Sequence, residues 1–161
     1  MPLSHRPVEE QDLPTLCGLA QDAEELFFFF PKARFPLTPA QLQENIAQRA
    51  DSTVVLLEGQ VVGLANFYRW ESGGQCWIGN VIVAPSARGR GVARYLIGCL
   101  VEKAHDHHQA SAVHLSCFNH NTAGLLLYSS LGFEPYAIEP YTGPQGQRLA
   151  LIQLRWRCSG L

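Results

Sequence analysis

Apolar residues recur along this chain in two rhythms, and the rhythm changes wherever turn-forming residues gather. Leu3 to Val8 reads as a short first strand. Asp12 precedes Pro14 and the series Leu13, Leu16, Leu19 and Ala20, which predicts an amphipathic helix capped by a carboxylate. The run Phe27-Phe28-Phe29-Phe30-Pro31 closes that region. Thr38-Pro39-Ala40-Gln41 starts a second helix, with Thr at the N-cap, Pro at the first helical position and Gln three residues after the cap. Leu42, Ile46 and Ala50 continue it at helical spacing.

Val54 to Leu57 and Val61 to Tyr68 then read as strands joined through Glu58-Gly59-Gln60, a hairpin. Cys76 to Val83 is apolar almost throughout, the pattern of a strand covered on both faces. Ala93, Leu96, Ile97, Leu100, Val101 and Ala104 form a helical stripe, and Ala112 to Cys117 a further strand. Asn121-Thr122 caps a helix running to about Leu131, with Gly132 as its C′ residue. Tyr136 to Ile138 and Leu149 to Trp156 close the chain as two strands. The expected order is strand, two helices, three antiparallel strands, helix, strand, helix, two strands. That is one mixed α/β (α+β) domain spanning residues 1–161, with no internal repeat or linker.

Composition narrows this picture. At 161 residues the chain suits a single domain that needs no staples. Hydrophobic residues are 47% and charged residues 16%, so part of the surface must be mildly apolar. Twelve Lys and Arg against 14 Asp and Glu leave a net charge of −2, which argues against a nucleic-acid binder. The five cysteines Cys17, Cys76, Cys99, Cys117 and Cys158 include no C-x-x-C pair and read as reduced core thiols, so a cytoplasmic location is expected. The first residues, MPLSHRPVEEQDL, lack the apolar centre of a signal peptide, and the block Leu26 to Phe30 is too short to span a bilayer.

The chemistry concentrates in Val81-Ile82-Val83-Ala84-Pro85-Ser86-Ala87-Arg88-Gly89-Arg90-Gly91-Val92-Ala93. A buried strand enters a turn of small residues and leaves it directly as a helix. Such a turn presents backbone N–H groups at the positive end of a helix dipole, and Arg88 and Arg90 add donors. The expectation is a phosphate or pyrophosphate site. No Gly-Lys-Ser/Thr triplet follows, so it is not a nucleotide P-loop; Arg94 stands where a dinucleotide fingerprint needs its third glycine.

The segment Arg88-x-x-Gly91-x-Ala93, after a strand ending Val-x-x-Pro, resembles the coenzyme A pyrophosphate motif of the GNAT superfamily of N-acetyltransferases. Asn121…Tyr128…Gly132-Phe133 resembles that superfamily's next helix. The likeness is best over Val54 to Phe133. It implies a mixed, mostly antiparallel sheet of six to seven strands flanked by helices, and acetyl-CoA as co-substrate with no metal. By this resemblance Val81 and Val83 offer backbone groups to the acetyl and pantetheine amides, the Val81 N–H polarising the thioester carbonyl. Arg88, Gly89, Arg90, Gly91, Val92 and Ala93 cradle the pyrophosphate. Asn121 contacts the pantetheine arm, and Tyr128 protonates the leaving thiolate, where the bland alternative is a core aromatic.

The resemblance implies acetyl transfer to a primary amine of a small molecule. Protein lysines or N-termini, and a non-catalytic acetyl-CoA-binding regulatory domain, are the alternatives. Where relatives carry a glutamate as general base, this chain has Trp77 and Ser116, which counts against peptide acceptors; Glu25, Glu139 or a water relay remain. On the acceptor side the candidates are Glu25, Phe30, Tyr68 and Asn80, with plain packing the commoner fate of the Phe27–Phe30 run. Asn80, lone in an apolar strand, either braces a loop or faces the acceptor. His105, His107 and His108 suit the negative end of a helix better than a metal; His114 and His120 fall near the expected cleft. Arg155 and Arg157 are placed on a sheet edge. No membrane partner is expected, and association of two copies is left open.

Overall fold

Seven strands form one sheet in the order β1-β2-β3-β4-β5-β7-β6, in a computed structural model that describes residues 2–157. The strands are β1 (Leu3–Pro7), β2 (Ala50–Leu57), β3 (Gln60–Trp70), β4 (Gln75–Val83), β5 (Ala112–Phe118), β6 (Glu134–Thr142) and β7 (Arg148–Arg157). Every neighbouring pair is antiparallel except β4 with β5. The helices are α1 (Leu13–Cys17), α2 (Ala23–Phe29), α3 (Pro39–Ala47), α4 (Val92–His108) and α5 (Thr122–Ser130). The core runs from Leu13 and Leu16 through Val54, Leu64, Phe67 and Ile78 to Leu96, Leu100 and Leu115. No helix among the described residues is long and apolar enough to cross a membrane.

Three helices, not two, separate β1 from β2. The phenylalanine run closes a helix of its own: Phe27 to Phe29 are the last residues of α2, separate from α1, with Phe30 as C-cap, and its N-cap Asp22 accepts from the Glu25 N–H at 2.8 Å. Asp12 does not cap α1 with its side chain. Its carboxylate instead takes both Arg6 guanidinium nitrogens (2.8 and 2.9 Å) and the Glu9 N–H, and the Arg6 hydrogen bonds hold it below the usual carboxylate range. Thr38 caps α3 as its sequence implies, through the Gln41 N–H. The hairpin after β2 turns on two residues, with Glu58 and Gly59 both at positive φ (53° and 79°) and Leu57 opposite Gln60, the geometry that matches strand twist.

Two further differences shape the site. β4 alternates buried and half-buried positions rather than being covered equally on both faces. Its Cys76, Ile78 and Ile82 enter the core, while Trp77, Gly79, Val81 and Val83 are half-buried on the other face, and Gly79 and Val81 border a cleft. β7 inserts between β5 and β6, so Arg155 lies on an interior strand and β6 forms the edge. Local alternation carries no information about strand order, which is why the arginines were expected at an edge. Cys158 lies outside the described residues; Cys17, Cys99 and Cys117 are free thiols.

Candidate active site

The parallel pair β4–β5 is short. Gln75 to Ile78 pair with Ala112 to Leu115, and beyond these residues the two strands share no register. Asn80 adopts φ 52°, and the β3–β4 ladder skips between Leu64 and Asn66, so β4 is bulged just where it leaves β5. The result is a V-shaped opening in the sheet. A cavity of about 370 Å³ fills it, lined by Ile78, Gly79, Asn80 and Val81 from β4 and by Leu115, Ser116 and Phe118 from β5. Phe28, Phe29, Lys32, Arg49, Tyr68, Asn121, Tyr128, Tyr141 and Gln153 are among the residues of its other walls.

At the far end of β4 the chain makes one 3-10 turn, Pro85–Ala87, and enters α4 through Gly91. Gly89 and Gly91 sit at φ 78° and 79°, where a β-carbon is strained, and a β-carbon on either meets no atom within 4 Å. The N-terminus of α4 has no side-chain cap and no acidic residue in its first turn. Its orphan N–H groups therefore face open space at the positive end of a 17-residue helix. A pyrophosphate fits this arrangement: unsatisfied donors, room against the backbone, and exposed Arg88 and Arg90 alongside. Val92 is buried as the first helical residue, and Ala93 follows half-buried.

Arg88 is already engaged. It forms a two-pronged pair with Glu25 of α2 (3.1 and 3.2 Å) and donates through Nε to the Val83 carbonyl at 3.3 Å. The Arg88 hydrogen bond lowers the Glu25 carboxyl below its ordinary value. Glu25 is thus joined to the turn and does not line the cavity. Phe30 is buried at the end of α2 behind Phe28 and Phe29, which do line it.

Tyr128, on α5, is 8% exposed, and its hydroxyl has no hydrogen-bond partner among the described residues. Burial pushes its pKa well above the ordinary tyrosine value, with Cys117 adding to the effect. Cys117 itself is pushed up to about 12 by burial. Asn121 caps α5 by accepting from the Gly124 N–H at 3.0 Å and also reaches the cavity wall. Asn80 donates to the Phe29 carbonyl (2.8 Å) and accepts from Asn66 (3.0 Å), so it ties α2 to the bulge while lining the cavity. Tyr68 is partly exposed; burial raises its pKa while a hydrogen bond with Ser116 lowers it. Ser116 donates to Gln153 (2.6 Å), and Gln153 donates to Glu139 (2.5 Å), so Glu139 stands behind the wall rather than in it.

His114 lies outside the cavity lining. It is buried at the closed base of the V, stacked on Trp77. His120 is exposed and packs edge-on to Phe28. Three residues of the site had no sequence signal read from them. Arg49, between α3 and β2, falls inside the helical spacing that Leu42, Ile46 and Ala50 set and belongs to no motif; Gly79 and Gln153 matter only through what faces them.

The chain matches the model of the acetyltransferase (GNAT) family over residues 19–133. Among solved structures it is similar to a ribosomal-protein-alanine N-acetyltransferase from Brucella melitensis, with 28% identity, a TM-score of 0.73, and 96% of this chain and 99% of that one covered. It is also similar to a putative phosphinothricin N-acetyltransferase at 20% identity, TM-score 0.78, with 98% and 99% covered. A putative acetyltransferase from Salmonella typhimurium with its cofactor acetyl-CoA aligns at 20% identity, TM-score 0.75, with 100% and 96% covered.

Proposed function

The chain belongs to the GNAT acetyltransferase family, and from that premise we propose that it acetylates a primary amine of a small molecule by direct attack in a ternary complex. Its family membership makes it an acetyltransferase that uses acetyl-CoA. The observation that supports direct transfer is Tyr128: the residue is only 8% exposed yet lines the cavity that opens between β4 and β5, and its hydroxyl forms no side-chain hydrogen bond among the described residues. A buried tyrosine ordinarily satisfies its hydroxyl. Left unsatisfied in a cleft, it is a proton donor awaiting an acceptor.

Acetyl-CoA, when bound, supplies an activated thioester. Arg88, Gly89, Arg90, Gly91, Val92 and Ala93 hold its pyrophosphate, Val81 and Val83 its amide groups, and Asn121 its pantetheine arm. Val81, which has no partner in the β3 or β5 register, donates through its N–H to the developing negative charge on the carbonyl oxygen. Tyr128 stays protonated across the neutral range and delivers its proton to sulfur. The side chains of the opposite wall orient the amine for attack. The proton lost by the amine passes to water held by the polar groups Tyr68, Ser116 and Gln153 on that wall. A cytoplasmic location belongs to the same proposal, supported by the free thiols of Cys17, Cys99 and Cys117.

A protein N-terminus is the second reading, favoured by the name of the 28% identical neighbour. Thiol release from acetyl-CoA across amines, amino acids, polyamines and peptides decides between them. Turnover confined to peptides overturns the small-molecule reading, and acetyl-CoA binding without turnover on any acceptor replaces it with a regulatory role. Tyr128→Phe is expected to lower kcat about 100-fold or more while acetyl-CoA affinity changes by less than about 3-fold. An unchanged kcat removes Tyr128 as the acid.

A further inference from the structure

Resting on the acceptor reading above, we propose that the amine substrate also carries an anionic group, a carboxylate or one of like size, and that Arg49 receives it. The cavity wall holds two cations, Arg49 and Lys32, and no Asp or Glu. A cleft meant for a polyamine or another polycation needs the reverse.

Arg49 is the informative residue. It sits between α3 and β2, half-buried, with no ion-pair partner among the described residues. Its Nη1 donates to Asn66 Oδ1 at 3.2 Å, and its guanidinium carbon stands 5.5 Å from the centre of the Tyr68 ring. Asn66 is a neutral partner, and a guanidinium has five N–H donors. Burial pulls the Arg49 pKa down, as expected for a cation lacking a nearby anion. Structural arginines at this depth are normally paired. This one is left with donors that a planar anion can accept two at a time.

Its position is built rather than incidental. Asn66 is itself held by donating to Ser52 (3.1 Å) and to Asn80 (3.0 Å), and Asn80 is anchored on α2 through the Phe29 carbonyl. A β-carbon at residue 79 would come within 2.7 Å of Arg49 Nη1 and 2.8 Å of the Tyr68 ring. Glycine at that position lets both groups lie against β4, beside the residues that open the V. The other wall, with Phe28, Phe118 and Tyr141, is aromatic and suits an apolar body. Of the carboxylates around this network, Asp51, next to Ser52, is occupied by His108 at 2.7 Å, and Glu139 by Gln153. The ligand these features describe is an amino carboxylate with an apolar side chain.

The test pairs leucine with leucinamide and phenylalanine with phenylalaninamide, assayed for acetylation and, separately, for calorimetric binding in the presence of CoA. The amide's amine is the less basic of each pair, so more of it is free to attack at neutral pH, and a preference for the carboxylate must come from the anion. In the wild type kcat/KM is expected to favour the acid by about 10- to 100-fold, the range of a charge-assisted hydrogen bond. Arg49→Gln abolishes the preference for the acid, leaving a ratio of about one or one that favours the more freely deprotonated amide; Arg49→Lys, which keeps the charge, leaves an intermediate ratio. Melting temperature and acetyl-CoA affinity report whether each variant is folded. A wild-type ratio near one, or a ratio that Arg49→Gln leaves intact, overturns the inference. If no amine is acetylated but the acid binds more tightly than the amide in an Arg49-dependent way, the acetyl-transfer reading fails and the anion site stands. If neither ligand binds, the anion site fails.

Discussion

The proposed pyrophosphate cradle on the donor side of the cleft is six consecutive residues, Arg88 to Ala93, offering backbone N–H groups at one helix end. The proposed acceptor side draws Arg49, Tyr68, Ser116, Gln153 and Phe28 from four strands or their approaches and one helix. One side is contiguous, exposed and made of backbone; the other is assembled, partly buried and made of side chains. A backbone cradle recognises a group every acetyl-CoA carries, so it needs no particular neighbours. Selecting one amine among many needs side chains whose positions are set from elsewhere in the fold. The asymmetry therefore follows the division of labour: a fixed donor, a particular acceptor.

The largest effect expected on this comparison comes from the backbone side. Gly91→Glu places a carboxylate among the free N–H groups of α4 and strains a residue at φ 79°. Acetyl-CoA affinity, measured by calorimetry, is expected to fall at least about 100-fold, two lost charge-assisted contacts' worth. Gly59 supplies the control, since it has the same φ of 79° and equally open surroundings, but sits in the β2–β3 hairpin. Gly59→Glu carries the same strain and should bind acetyl-CoA normally. Equal losses in both variants would mean the effect is strain, and the cradle would lose its support.

That backbone side was legible from the sequence because its meaning is local. Glycines at two fixed offsets and a helix stripe starting at Ala93 imply the same turn wherever the rest of the chain goes. The capped α3 and the C′ glycine at residue 132 were legible for the same reason. α2 was obscured because four successive phenylalanines carry no period, although Asp22 followed by Glu25 is a capping pattern. Arg49 was invisible for a deeper reason. Its role depends on Asn66, Tyr68 and Gly79, and two register shifts in the β3–β4 ladder decide which way those residues face. Period-two alternation has no means of foreseeing a bulge.

A smaller effect tests how the two sides communicate. Glu25 of α2 holds Arg88, so the helix that carries Phe28 and Phe29 is tied to the anion turn by one ion pair. Arg88→Ala is expected to weaken acetyl-CoA binding about 10-fold. Glu25→Gln removes a carboxylate that competes for the same guanidinium, so binding should tighten by about 2- to 5-fold at low salt, the scale of an exposed ion pair. The gain should shrink as salt rises. Weaker binding by Glu25→Gln would mean that Glu25 presents Arg88 to the ligand instead of withholding it.

The smallest effect concerns the base of the V, where β4 and β5 still pair and Trp77 faces His114. His114 is 3% exposed and stacks on Trp77 at 4.8 Å; its Nδ1 meets the Tyr136 hydroxyl at 2.8 Å and its Nε2 the Gln75 side-chain oxygen. With Nε2 facing a carbonyl oxygen, the proton resides there and Nδ1 accepts from Tyr136. Arg69 lies over Trp77 and Arg155 over Tyr136, so a charged imidazole would be the third cation in one row. Burial first, and then Arg155 and Arg69, lower the His114 pKa, with Glu71 opposing them. The folded protein therefore holds its proton less tightly than the unfolded chain. Above neutral pH neither state is charged and the site costs nothing. As pH falls through the unfolded value near 6.5, the unfolded chain gains a proton that the folded one resists, and stability is lost. Asp12 and Glu25, whose pKa values are lowered, add their own losses only at lower pH. Melting temperature should thus fall from pH 7.5 to 5.5 more steeply in the wild type than in His114→Gln, by a difference on the order of 2 °C. Acetyl-CoA affinity at pH 7.5 should not distinguish the two, because the base of the V closes the cleft without lining it. Parallel melting curves would show that His114 accepts its proton in the folded state, and that the row across the sheet tolerates a third positive charge.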